Sequence, residues 1–115
     1  MVLTNKNVLV VGLGKSGLAL ANVLFRLGAR LSLYDKKSEQ ELECEIASLA
    51  KISAQYFLGG ASPDFIKAKY DLVVVSPGVS LEIKPLLDAK ACGVDIIGEL
   101  ELAFQLTSAP LIAVP

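Results

Sequence analysis

Three short clusters in this 115-residue chain have residue types and spacing that chemistry can use. The first is Gly12-Leu13-Gly14-Lys15-Ser16-Gly17, a G-x-G-x-x-G. Alone it is a weak signal, and its meaning depends on context. Here it follows a β-branched run, opens a helix, and precedes an acid, Asp35, 18 residues beyond Gly17. In that setting Gly12 permits a tight turn, Gly14 lets backbone approach a phosphate, and Gly17 lets helix and strand come close. The helix start adds N–H donors and a partial positive charge. The chemistry is the cradling of an anion.

Gly14-Lys15-Ser16 also resembles the end of a Walker phosphate loop. That loop needs a further glycine five residues before Gly14, and position 9 is Leu, so the reading fails. Lys15 is left either near a phosphate or as a solvated loop residue. Asp35 is placed to accept from a ribose hydroxyl, whereas Lys36 and Lys37 beside it suit a 2′-phosphate or a solvated turn. None of these residues demands a nicotinamide ligand.

The third cluster is Ser76-Pro77-Gly78, directly after the apolar run Leu72-Val73-Val74-Val75. Pro77 fixes φ and Gly78 can take φ > 0, so this turn can aim N–H groups and a hydroxyl at an anion. Glu99 and Glu101 do not form a catalytic pair: two apart on a helix, they point in different directions and read as first-turn acids favouring the dipole.

Composition removes other chemistries. The chain has no histidine, which excludes Ser-His-Asp and Cys-His nucleophile systems and His-ligated metals within it. Cys44 and Cys92 lie 48 residues apart, too few and too far for a zinc or disulfide framework, and read as small buried hydrophobes in a reducing cytoplasm. Eleven basic residues against 12 acidic give a net charge of −1 without a basic stripe, so nucleic acid is not expected as a partner. No apolar run approaches a membrane span, and membrane is not expected as a partner either. A 53% apolar content suits one well-packed domain.

The elements that must position these clusters alternate. Strands are expected at Asn7 to Val11, Leu31 to Tyr34, Ala54 to Phe57, Asp71 to Val75 and Val94 to Ile97. Between them lie a helix from Ser16 to Leu27, with Leu20, Leu24 and Leu27 inward, and one opened by the capping box Ser38-Glu39-Gln40-Glu41. A short helix is expected behind Ser62-Pro63, with Ser62 as cap, then one begun by Pro85 and one from Glu99 to Leu106. Leu111 to Val114 reads as a final strand. Right-handed crossovers then give a doubly wound, mainly parallel Rossmann-like α/β sheet with helices on both faces. In the order 3-2-1-4-5 the first and third clusters face each other at the topological switch point.

Gly-Leu-Gly-Lys-Ser-Gly at 12–17, the strand ending at Asp35, Val-Val-Ser-Pro-Gly-Val at 74–79 and Gly-Val-Asp-Ile-Ile-Gly-Glu-Leu-Glu-Leu at 93–102 together resemble the amino-terminal domain of the MurD branch of the Mur ligases. The resemblance implies a bacterial cytoplasmic enzyme of peptidoglycan synthesis. In that family ATP phosphorylates the alanine carboxylate of UDP-N-acetylmuramoyl-L-alanine, and the D-glutamate amine attacks the acyl-phosphate to form an amide. The amino-terminal domain holds the UDP end, while ATP, magnesium and D-glutamate use the other domains. Carried over, Gly14, Lys15, Ser16 and Gly17 with Ser76, Pro77 and Gly78 would hold the diphosphate, and Asp35 and Lys36 would flank the uracil. Gly12 would be the structural glycine of the loop. Lys36 stands where relatives often have a hydroxyl residue. The run from Leu111 resembles the strand that leads into the family's ATP loop, which implies a domain over 1–108 and the first strand of a second over 109–115. The chain is expected to be inactive as a ligase by itself, with no catalytic residue, metal or cofactor of its own. A competing class is an NAD-binding domain of a dehydrogenase or ligand-sensing protein; a third is a scaffold.

Overall fold

The computed structural model describes residues 3–113. β1 (Asn7–Val11), β2 (Arg30–Asp35), β3 (Ala54–Leu58), β4 (Leu72–Val75) and β5 (Asp95–Gly98) form one sheet in the order β3-β2-β1-β4-β5. All four pairings are parallel; Val10 lies between Leu33 on β2 and Val74 on β4. The helices are α1 (Lys15–Arg26), α2 (Glu43–Ser48), α3 (Phe65–Ala68), α4 (Lys84–Ala91) and α5 (Glu99–Ala113). The expected doubly wound α/β fold is therefore present.

Its strands are apolar on both sides because both sides are covered. Val8, Val10, Leu31, Leu33 and Val74 pack with Leu20 and Leu24 of α1 and Leu102 of α5. Leu9, Val11, Tyr34, Val73 and Val75 pack on the opposite face with Phe65 of α3 and Leu86 and Ala89 of α4. Alternate residues of one strand thus serve two cores.

Several local expectations are corrected. Leu27 is 42% exposed, since α1 ends at Arg26 and Leu27 is its C-cap before the turn at Gly28; Gly17 and Ala21 join Leu20 and Leu24 inside. The capping box forms, with Glu41 N–H donating to Ser38 Oγ (3.3 Å) and Ser38 N–H to Glu41 Oε1 (3.1 Å). It closes a turn of its own, however, and α2 starts only at Glu43. Ser62 does not cap α3: Lys67 N–H donates to Asp64 Oδ1 at 3.2 Å, so the start shifts past Pro63. Both cysteines are exposed and free, Cys44 because α2 buries none of its residues and Cys92 because it caps the end of α4. Leu111–Ala113 continues α5 rather than starting a strand, and Val114 lies outside the described residues. A short apolar run does not distinguish helix from strand by periodicity.

Two measurements follow. Leu24 is fully buried between α1 and the sheet, so Leu24→Ala should lower stability by about 3 kcal/mol in urea unfolding. Burial raises the Tyr70 phenol above its ordinary pKa, and burial also raises Tyr56. A phenol raised in the folded state stabilises the fold below its unfolded value, and that contribution is lost as pH climbs through the folded one. Stability should thus fall above about pH 10, and less steeply in Tyr70→Phe, as read from unfolding curves at a series of pH values.

Candidate functional site

The site is built at the carboxyl ends of β1, β2 and β4. β1 delivers Gly12, whose N–H donates to Tyr34 O (2.8 Å) and so extends the ladder by one bond. At φ +103° Gly12 then turns the chain toward α1. A Cβ on Gly17 would collide with the Gly12 carbonyl oxygen, and a Cβ on Gly12 would stand 2.8 Å from Ser76 Oγ. These two glycines are required by contact. Gly14 has open space around it and is the N-cap of α1, without a side-chain cap. The first intrahelical bond runs from Leu18 N–H to Gly14 O at 2.9 Å, so the N–H groups ahead of it are left to a ligand or solvent.

Asp35 has a role beyond the one its position suggested. Its Oδ2 accepts from Leu13 N–H (2.8 Å) and its Oδ1 from Lys37 N–H (2.9 Å). The carboxylate therefore bolts the glycine loop to the end of β2. It keeps further lone pairs, but both oxygens are already held.

The other wall is the loop after β4. Ser76 N–H donates to Val11 O (3.0 Å), and Ser76 Oγ donates to Gly12 O (3.3 Å), joining the two loops directly. Val79 N–H donates to Ser76 O (3.3 Å), and Gly78 takes φ +88°, closing the turn that the Ser-Pro-Gly sequence suggested.

Between the walls lies a crevice of about 440 Å³. Gly12, Gly14, Ser16, Asp35 and Lys36 line one side and Ser76, Pro77 and Gly78 the other. Lys15 and Gly17 do not line it; Gly17 acts through its contact with Gly12. Tyr34, Lys37, Ser80 and Ile83 also line it. The sequence already names Lys37 beside Asp35; Tyr34, Ser80 and Ile83 carry no motif and are missed by it, although Tyr34 is legible as a neighbour of Asp35. A larger cavity of about 530 Å³ opens at the other end of the sheet, by Asn7, Ser32, Gln55 and Tyr70. It has neither a glycine loop nor a helix N-terminus, so the smaller crevice is the better anion site. The crevice lining contains no histidine or cysteine.

The glycines differ in a way that mutation can read. Gly17→Ala should cost about 3 kcal/mol in urea unfolding, because a helix start must move off a backbone oxygen. Gly14→Ala, with open space and φ −73°, should stay within about 0.5 kcal/mol.

Comparison with known proteins agrees with this geometry. A family model for the Mur ligase MurD-like N-terminal domain matches residues 6–98. The UDP-N-acetylmuramoylalanine–D-glutamate ligase of Caldanaerobacter subterraneus subsp. tengcongensis is 43% identical over 114 residues, covering 99% of this chain and 25% of that protein. The enzyme of the same name from Geotalea uraniireducens is 46% identical over 115 residues, again covering 99% of this chain and 25% of the relative. The chain thus spans about a quarter of the length of these relatives. Among solved structures, shikimate dehydrogenase from Aquifex aeolicus matches with a TM-score of 0.57 over 85% of this chain and 44% of that one; at 20% identity this shows the fold alone. With a family model covering the whole sheet and both loops, and relatives above 40% identity along nearly its full length, the chain belongs to the MurD-like Mur ligases as an N-terminal domain of that family.

Proposed function

We propose that this chain binds the uridine-diphosphate end of UDP-N-acetylmuramoyl-L-alanine, for an ATP-dependent ligase that joins D-glutamate to it in the bacterial cytoplasm. The observation that carries this reading is the facing of the uncapped α1 start and the Ser76-Pro77-Gly78 turn across one crevice. Gly14 and Ser16 with Ser76, Pro77 and Gly78 line the diphosphate cradle in this reading; Gly17 sets the loop through its contact with Gly12, and Lys15 stands outside the lining. Asp35 and Lys36, which both line the crevice, flank the uracil in this reading.

The ligase reaction needs the substrate carboxylate activated by ATP and then attacked by an amine. This chain's share is to hold and orient the nucleotide, so that the distant alanine carboxylate is presented at a fixed place. Nothing in the described residues fits ATP with magnesium: position 9 breaks a Walker loop, and no group of three or more His, Cys, Asp or Glu converges. In this reading those ligands use the part of the relatives' length that this chain does not match. The boundary at 108 implied by the resemblance falls inside α5, which runs to Ala113, so that helix is counted with the domain in this reading.

The NAD-binding alternative is less favoured by the family match, which covers residues 6–98 with a Mur ligase N-terminal domain. The two backbone bonds of Asp35 leave lone pairs on both oxygens and do not separate the two ligands.

An NMR titration of the labelled chain tests this. UDP and UDP-N-acetylmuramoyl-L-alanine should shift Gly14–Gly17, Asp35, Lys36 and Ser76–Gly78, with NAD leaving them unmoved. Saturable NAD binding with indifference to UDP would sink the proposal. Asp35→Ala should weaken UDP binding roughly tenfold by freeing the loop, the size of one charge-assisted hydrogen bond. It should also move the Leu13 amide in the absence of ligand. The chain alone should show no ligase turnover.

A further inference from the structure

The capping box formed by Ser38 and Glu41 does not open α2, which begins at Glu43 with no side-chain cap. A box of this kind is ordinarily explained by the orphan N–H groups of the helix it starts. Here it closes a single turn, and that turn follows directly on Lys36 and Lys37, which both line the crevice.

Four successive backbone groups are tied down at this point. Lys37 N–H donates to Asp35 Oδ1 (2.9 Å), and Lys37 O accepts from Gly59 N–H (2.8 Å). Ser38 N–H donates to Glu41 Oε1 (3.1 Å), and Ser38 O accepts from Leu42 N–H (3.1 Å). Leu42 is buried in the core with Leu49 and Ile52, so the turn is anchored at its far end. Ordering an exposed segment costs conformational entropy, and two solvated lysines alone would not call for it.

The same bonds decide where charge is available. Acids flank the lysines in sequence at Asp35, Glu39 and Glu41. Lys84 pairs with Asp88, yet among the described residues neither Lys36 nor Lys37 is in an ion pair. Asp35 is occupied by the N–H groups of Leu13 and Lys37, and Glu41 by that of Ser38. A carboxylate held by a backbone donor does not swing to a neighbouring ammonium. Both cations are left for an anion in the crevice.

We propose that Ser38 and Glu41 are positioning residues for the crevice. Their box fixes the backbone that carries Lys36 and Lys37 and holds the Glu41 carboxylate off the two ammonium groups, so that both serve a nucleoside diphosphate. This rests on the uridine-diphosphate reading above, and the experiment separates the two. UDP binding is measured by calorimetry on the 115-residue chain, on single variants at Ser38 and Glu41, and on the double variant Lys36→Ala/Lys37→Ala. The sign of the Glu41 effect decides most. Removing a negative charge beside an anion site tightens binding if charge alone matters. Loss of the box should instead make Glu41→Ala and Ser38→Ala each bind UDP about fivefold more weakly, the size of one lost cap. Ser38→Thr and Glu41→Gln keep an oxygen at each end of the box and should restore binding to within about twofold. The Ser38→Ala loss should shrink as salt is raised, and it should vanish when added to the double lysine variant. Unchanged or tighter binding in Glu41→Ala, or a Ser38→Ala loss that persists without the two lysines, overturns the proposal and leaves the uridine site standing. Failure of the unmodified chain to bind UDP overturns both.

Discussion

Three stretches of chain meet at the Gly12 peptide, and the site depends on how closely they meet. Its N–H continues the β1–β2 ladder to Tyr34 O, and its carbonyl oxygen accepts from Ser76 Oγ while facing Gly17 at a distance no side chain allows. Each contact comes from a different part of the sequence. The helix, the second strand and the loop after β4 are thereby held against one another at a single backbone unit. Nothing larger than glycine fits at either of the two crowded positions, and this is a harder constraint than conformational freedom at the turn.

Because that junction is tight, the crevice is made mostly of backbone. The donors it offers are the N–H groups at the start of α1 and that of Gly78, since Ser76 N–H is held by Val11 O and Pro77 has none, with Lys36 and Lys37 adding charge at the margin. A helix N-terminus carries about half a unit charge. It is fixed in direction by the fold and brings no net charge, which is consistent with a chain at −1 binding an anion. Asp35 fits this scheme as a fastener. An acid beside an anion site would ordinarily oppose it, but here its charge is matched by two backbone donors that set the loop.

The same edge of the sheet changes character as it is crossed. Cations stand beyond β2, donors lie over β1 and β4, and a buried acid sits at β5. The fold is shared with a dehydrogenase at 20% identity, so the sheet by itself does not decide what the chain binds.

Much of this was legible in the residues themselves. Apolar runs without alternation marked strands buried on both faces, glycines and prolines punctuated them, and the alternation of elements fixed a parallel sheet with its switch point between β1 and β4. The two loops could be named, and set opposite each other, from spacing alone. What spacing could not supply was where each side chain ends. Leu27 and the cysteines fell outside because short helices stop before completing an apolar face. Leu111–Ala113 became helix because a short apolar run has no period of its own. The second role of Asp35 and the burial of Glu99 arise from atoms brought together over 22 residues or more and across neighbouring strands. Local sequence determined which elements form and in what order, since those follow from patterns a few residues long. Only the tertiary structure decided which carboxylate is a fastener and which is buried, because burial and hydrogen bonding are properties of contacts the chain makes after it has folded.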